Sequence, residues 1–203
     1  MFYKFAKTVV HVILVLLGGR IKIQNKDKIT QTPYVLVSPH TSWLEIIYLA
    51  FAVYPTQIHY MAKQELFKGK LLNWAMTHFG AFPVNRENPG PSAIKSPIRI
   101  LKQGKVVGIF PSGTRSQANL HLKRGAVTIA FKGKVPILPA VYDGPKNFKE
   151  VLKRKPVYIR FGDYIYLDDT DKEQKEILEH KSNELLDTFA TLQNEINATK
   201  KKK

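Results

Sequence analysis

The sequence predicts an α/β layer fold, a mixed sheet flanked by helices in a single domain, and three observations carry that prediction. Short apolar runs of strand length alternate with segments of helical periodicity along most of the chain. Clusters of proline, glycine and small polar residues separate them, and none of the connections is long enough to read as an interdomain linker. A length of 203 residues, 44% hydrophobic and 11% aromatic, is sufficient for one buried core.

The first segment, Phe2 to Leu17, sets Phe2, Phe5, Val9, Val12 and Leu16 at helical spacing, with Lys4, Lys7, Thr8 and His11 gathered on another side. As helix it spans roughly 24 Å, short of the ~30 Å hydrocarbon core of a bilayer. Residues 1–19 therefore read as an amphipathic helix lying in a membrane surface, with Lys4, Lys7, Arg20 and Lys22 as basic anchors. An ordinary core helix is the alternative. A signal peptide is disfavoured, because Gly18-Gly19-Arg20 lacks a small-x-small cleavage pattern.

Residues 20–33 are polar and basic and lead into an apolar strand, Tyr34 to Val37. Ser38-Pro39 stops that strand, since proline cannot donate to a ladder. His40 follows at once, and Glu45 stands where Leu44, Ile46, Ile47, Leu49 and Ala50 open a helix that runs to Val53. On one regular helix, positions five apart are about 140° from facing each other. His40 must therefore lie in the turn, with the chain curling so that Glu45 can meet the ring.

Pro55 breaks the helix, and Ile58 to Ala62 is a strand. Gln64 to Phe79 then carries Leu66, Phe67, Leu71, Leu72, Trp74, Met76 and Phe79. Part of that face belongs in the core, and the surplus is suited to covering an acyl chain or dipping into a membrane. Gly80 to Arg86, GAFPVNR, is a short strand ending in arginine. Pro91 opens a helix carrying Ile94, Ile98 and Leu101, with Gly104 as its C-cap. Pro97 should kink that helix or move its start to about Ser96.

Val106 to Phe110 is the most strand-like run, and it delivers a turn of hydroxyls around one arginine, Pro111 to Ser116. Lys123-Arg124-Gly125 opens a helix over Ala126 to Lys132, so a basic pair meets a helix start beside that turn. This combination suits an anion, although serines and threonines also serve as ordinary helix caps. Val135 to Val141 is extended, but Pro136 and Pro139 suit an edge, a bulge or a site wall better than a central strand. Pro156 to Phe161 is a further strand. Thr170 to Glu173 reads as a capping box for a last helix with the stripe Leu178, Leu185, Phe189, Leu192 and Ile196. The four terminal lysines, 200–203, read as a disordered basic tail.

The charge balance narrows the function. With 32 Lys+Arg against 16 Asp+Glu, the formal charge is +16. Such an excess calls for an anionic partner: nucleic acid, an anionic lipid surface, or a phosphorylated substrate. The basic residues are dispersed, without the interleaved aromatics or basic recognition helix of a nucleic-acid binder. The absence of cysteine excludes disulfides, zinc thiolates and a cysteine nucleophile. No P-loop, G-x-G-x-x-G, H-E-x-x-H or G-x-S-x-G is present.

Taken together, the motifs resemble the glycerophospholipid acyltransferases, most closely the bacterial 1-acylglycerol-3-phosphate type. That family's H-x-x-x-x-D block is matched by HTSWLE, His40 to Glu45, and its G-A-x-F-V-x-R strand by GAFPVNR, ending at Arg86. Its F-P-E-G-T-R-S turn is matched by FPSGTRS (Phe110, Pro111, Ser112, Gly113, Thr114, Arg115, Ser116), followed by LKRGA around Lys123. Its V-P-I-x-P-V run is matched by VPILPA, which includes Pro136. Each block is weak alone, but four in the family's order are a specific joint signal. Two positions depart. Glu45 replaces the usual aspartate, which lengthens the arm and keeps the carboxylate, and Ser112 replaces the usual glutamate, which removes a charge near the acceptor.

The resemblance implies an acyltransferase domain over residues 20–199. It implies transfer of a fatty acyl group from acyl-CoA or acyl carrier protein to the sn-2 hydroxyl of lysophosphatidic acid, giving phosphatidic acid, with no cofactor and no metal. His40 would be the catalytic base and Glu45 its partner, while Arg86, Thr114, Arg115 and Lys123 would hold the acceptor phosphate. An anionic membrane surface is the expected partner, no nucleic acid is expected, and the expected location is the cytoplasmic face of the cell membrane, monotopic or peripheral. Two alternatives remain: the same fold acting on another lysophospholipid or a glycolipid, and a non-catalytic basic protein that binds lipid or nucleic acid.

Overall fold

A computed structural model of the chain describes residues 19–85, 90–111, 124–167 and 173–201. Seven strands form one mixed sheet in the order β1-β7-β6-β2-β5-β3-β4. In chain order these are β1 (Ile21–Gln24), β2 (Val35–Val37), β3 (Ile58–Lys63), β4 (Phe82–Val84), β5 (Val106–Ile109), β6 (Ile137–Asp143) and β7 (Val157–Phe161). The helices between and after them are α1 (Leu44–Ala52), α2 (Lys70–His78), α3 (Ser92–Leu101), α4 (Gly125–Gly133), α5 (Phe148–Leu152) and α6 (Gln174–Lys201). All neighbouring strands pair in parallel except β6 with β7, and β1 runs with β7.

The central strands β2 and β5 are apolar on every residue because helices cover both faces, as parallel sheets require. Val35 and Val37 point into a layer with α4 and α6, while Tyr34 and Leu36 point into a layer with α1. The α6 stripe foreseen from spacing, Leu178, Leu185, Phe189, Leu192 and Ile196, is buried in the first of these layers. No described helix is long and apolar enough to cross a membrane.

Four expectations are corrected or narrowed. Residues 21–24 are a strand rather than lead-in coil: Ile21 and Ile23 alternate with Lys22 and Gln24 and pair with β7. The helix around Pro97 starts at Ser92, with Pro97 inside it; the loss is confined to the bond its missing N–H would give to the Ala93 carbonyl. The Val135 to Val141 run supplies an interior strand from Ile137 on, third in the sheet and paired on both sides, so of the places expected for its prolines the bulge is the one found. Its proline is tolerated at a bulge: Leu138 and Pro139 lie opposite residues 162–164, between the Ile137–Ile165 bridge and the Ala140–Phe161 pair. Lys200 and Lys201 belong to α6 rather than to a disordered tail, and Lys200 pairs with Asp143 at 2.6 Å. The capping residues Thr170 to Lys172 and the segment 1–18 lie outside the described residues.

Candidate active site

The site is built at the carboxyl end of β2, the middle strand of the sheet. The chain leaves β2 for α1 on one face, and the neighbouring β5 leads on toward α4 on the other. Connections that part to opposite faces open a crevice at the strand ends, the usual place for a site in such sheets. Ser38 is buried and donates its N–H to the Ile109 carbonyl at 3.4 Å, tying the outgoing turn to β5.

His40 lies in the turn, and its Nδ1 is hydrogen-bonded to Glu45 Oε1. The curl inferred from the five-residue spacing is therefore real, and Glu45 sits in the first turn of α1, where the helix dipole favours an anion. The Glu45 side chain is fully buried. Burying a carboxylate is costly unless its lone pairs are satisfied, and here they are. Oε2 accepts from Thr41 N–H (2.7 Å), Thr41 Oγ1 (2.7 Å) and Ser42 N–H (3.1 Å). Ser42 extends the network: its Oγ accepts from Leu44 N–H at 3.0 Å and donates to the Lys146 carbonyl at 3.1 Å. The motif turn is thus fastened to the loop that follows β6.

An ionised carboxylate only accepts, so the proton of a neutral His40 lies on Nδ1 and Nε2 keeps its lone pair. Phe110 stacks on the imidazole with centroids 4.8 Å apart, and Tyr60 stacks on Phe110 at 5.7 Å. Tyr60 is held by a bond from its hydroxyl to the Ile46 carbonyl (3.1 Å). It fits because residue 108 is glycine: a Cβ there would lie 2.4 Å from the tyrosine ring. Behind Glu45, burial and then the neighbouring Tyr48 and Glu45 raise the pKa of Tyr142, whose neutral hydroxyl donates to the Pro145 carbonyl at 2.8 Å.

His40 also borders a cavity of about 440 Å³ between α1, β3 and α2, within the ~300–1,000 Å³ usual for ligand pockets. Ile46, Ile47 and Phe51 of α1, Tyr60 of β3, and Met76 and Phe79 at the end of α2 line it. A larger concavity of about 700 Å³ lies between α6 and the end of β7. Because β7 runs against β6, that end of the sheet is the one opposite His40, and its lining is mixed and polar.

The structure brings His40, Glu45, Phe110 and Pro111 together at the strand ends. It places Pro136 at the far end, where its carbonyl accepts from Val35 N–H at 3.0 Å. Arg86, Ser112, Gly113, Thr114, Arg115 and Lys123 lie outside the described residues. Thr41, Ser42, Tyr60 and the α1 side of the cavity wall were not singled out from sequence, whereas Leu66, Met76 and Phe79 belong to the 64–79 segment whose apolar surplus was read as suited to an acyl chain. The signal available for the first two was a pair of hydroxyl residues between the histidine and the carboxylate.

The family model described as Acyltransferase matches residues 20–143. The chain belongs to the acyltransferase family. It is an enzyme of that class, and the motif resemblance pointed to the same family. A 1-acyl-sn-glycerol-3-phosphate acyltransferase of Bacillus subtilis is 47% identical over 165 residues, 81% of this chain and 82% of that protein. A protein of the same name from Streptococcus pneumoniae is 38% identical over 198 residues, 96% of this chain and 74% of its own length. The fold matches the crystal structure of the 1-acyl-sn-glycerophosphate (LPA) acyltransferase PlsC from Thermotoga maritima. The TM-score is 0.72 at 21% identity, over 95% of this chain and 78% of that one.

Proposed function

We propose that the protein moves a fatty acyl group from a thioester donor, acyl-CoA or acyl carrier protein, to the sn-2 hydroxyl of 1-acylglycerol-3-phosphate, giving phosphatidic acid at the cytoplasmic face of the membrane. The observation that carries this reading is a His–carboxylate pair bordering an apolar cavity, in a chain whose relatives bear that activity in their names. His40 Nε2 takes the proton of the acceptor hydroxyl as its oxygen attacks the thioester carbon. Glu45 holds the ring in the needed tautomer and stabilises the imidazolium as it forms. Collapse of the tetrahedral intermediate expels the thiolate, which receives the proton from His40. The cavity takes an acyl chain, so that binding energy from the tail positions the reacting carbon. Arg86, Thr114, Arg115 and Lys123 hold the acceptor phosphate, a role that rests on the motif match and suits planar guanidinium and point-charge ammonium groups. No cofactor is required by these steps.

The test is mass spectrometry of lipids after incubating the pure protein with both donor types and a panel of lysophospholipids and glycolipids. Phosphatidic acid formed from 1-acylglycerol-3-phosphate is the expected product, and acylation of a different acceptor alone would overturn the assignment. In the same assay, Arg115→Ala and Lys123→Ala should raise KM for the phosphorylated acceptor about tenfold or more and leave KM for the donor unchanged, since a charge-assisted bond contributes about 1.5–3 kcal/mol.

A further inference from the structure

The edge of the sheet carries a concavity that no step of the proposed reaction uses. About 400 Å³ in volume, it is lined by Gly19, Arg20, Lys22, Arg154, Pro156 and Tyr158, so three cations meet there and no acid. Arg20 and Lys22, expected from sequence to anchor the first segment at a membrane, share this concavity with Arg154. Local packing brings them together. Gly19 passes so close to the turn after α5 that a Cβ would lie 2.3 Å from the Arg154 carbonyl, and the Arg20 carbonyl accepts from Val157 N–H at 2.9 Å. Arg154 holds the left-handed conformation, φ +55°, in which glycine is usual. Lys22 lies beside Tyr158 in the β1–β7 register, and its Nζ stands 5.3 Å from the centre of that ring.

These charges are uncompensated. Among the described residues, Lys28, Lys155, Arg160 and Lys200 each pair with an acid, while Arg20, Lys22 and Arg154 pair with none. The acid that the register sets opposite Tyr158, Asp143, is held by Lys200 at 2.6 Å and by Gln193 at 3.0 Å. Lys200 Nζ in turn adds a second ammonium 5.3 Å from the tyrosine ring. Like charges gathered in one concavity focus a positive field, which an anion relieves. Two guanidinium groups and an ammonium suit phosphate in particular.

Position decides which phosphate. Strand order puts β1 three steps from β2, and strand direction puts the start of β1 at the end of the sheet that carries His40. At about 4.8 Å per step the lateral offset is roughly 14 Å. Arg86, Thr114 and Arg115, assigned above to the acceptor phosphate, follow β4 and β5, and the apolar cavity lies against β3, all on the other side of β2. A donor laid across the strand ends would put its acyl chain in the cavity, its thioester at His40 and its pantetheine arm over β6 and β7. We infer that the pocket of Arg20, Lys22 and Arg154 binds the phosphate at the far end of that arm, the group that acyl-CoA and acyl carrier protein have in common. The inference rests on the thioester reaction proposed above, but the contact itself needs no turnover.

Fluorescence anisotropy reads the pocket without chemistry. Coenzyme A and holo-carrier protein, each with a fluorophore on the pantetheine thiol, would be titrated with the full-length protein. Phosphopantetheine should displace them, and pantetheine, which lacks the phosphate, should compete about tenfold less well or worse. Arg20→Gln with Lys22→Gln should weaken binding about tenfold or more, and in turnover should raise KM for the donor with kcat and KM for the lysolipid unchanged. Arg154→Gly should also weaken binding without lowering the melting temperature, because glycine suits the left-handed backbone there. Lys102→Gln with Lys105→Gln removes as much charge from exposed positions at the opposite end and should change nothing. The pocket is wrong as a donor site if neither probe binds, if pantetheine competes as well as its phosphate, or if the pocket variants bind like the parent chain. It is equally wrong if those variants spare the donor and instead raise KM for the lysolipid or weaken binding to phosphatidylglycerol/phosphatidylcholine vesicles. A loss confined to coenzyme A, or to the carrier protein, supports the pocket and names the carrier. Donor binding that depends on these residues, with no acyl transfer, would count against the proposed reaction and leave the pocket standing.

Discussion

Shortening Glu45 to aspartate, the residue usual in the family, should lower kcat in this chain. Both carboxylate oxygens are committed, Oε1 to His40 and Oε2 to three donors from Thr41 and Ser42. An arm one methylene shorter cannot serve both groups from the same place on α1, so either the imidazole loses its partner or the turn loses its fastening. Glu45→Gln should be worse, because an amide can present its N–H to the ring and favours the wrong tautomer; the comparable change in a serine protease costs on the order of 10⁴ in kcat. Thr41→Val separates positioning from packing. It removes one hydroxyl bond to the buried carboxylate and nearly preserves shape, and should lower kcat about tenfold with KM for the acceptor unchanged. Steady-state kinetics of the three variants, with a pH–rate profile for each, checks the order Gln below Asp below Val. Full activity of Glu45→Gln across pH would mean that another group orients His40.

At the scale of elements, the wall of the cavity depends on an absence. Gly108 of β5 leaves room for Tyr60 of β3, which supports Phe110 and, through it, the face of His40. Gly108→Ala would drive a methyl group into that ring, so Tyr60 must shift and the stack must follow. The expected outcome is a lower melting temperature together with a changed preference for acyl chain length, read by thermal unfolding and by competition between donors; an unchanged preference would mean that Tyr60 moves without reshaping the cavity. The role of Gly108 and Tyr60 was not visible in the sequence: the apolar surplus of residues 64–79 suggested one side of an acyl site, but the wall is assembled from α1, β3 and α2, and periodicity reports on one element at a time. What periodicity and punctuation did convey was the element list. The β2 stop at Ser38-Pro39, the curl from His40 to Glu45, the glycine turn at Gly104 (φ +75°), two residues past the Lys102 cap, and the α6 stripe are local consequences of local residues. β1 was missed because Ile21-Lys22-Ile23-Gln24 is four residues long at the sheet edge, where one side needs no apolar cover. The interior place of β6 did not follow from sequence, because Pro139 suits an edge and a bulge alike, and only the pairing opposite residues 162–164 decides for the bulge.

For the whole molecule, the entry point of the chain matters. Gly19 lies against the backbone of Arg154 and Lys155, at the end of the sheet that carries His40. A membrane-associating segment with the pattern of Phe2 to Leu17 would join the folded domain at that same end. Removing residues 2–17 should move protein from the membrane to the soluble fraction but leave measurable binding to anionic vesicles. The deletion takes away only Lys4 and Lys7 from a chain of net charge +16, so the binding that remains should be chiefly electrostatic. It should fall steeply between low and physiological salt, as the screening length shrinks to about 8 Å, and it should vanish on neutral phosphatidylcholine. Binding by the full chain should depend less on salt, because insertion of the apolar helix face is not screened. Vesicle sedimentation of both proteins across a salt series measures the difference. Equal salt slopes would mean that Phe2 to Leu17 contributes no apolar insertion and belongs to the core.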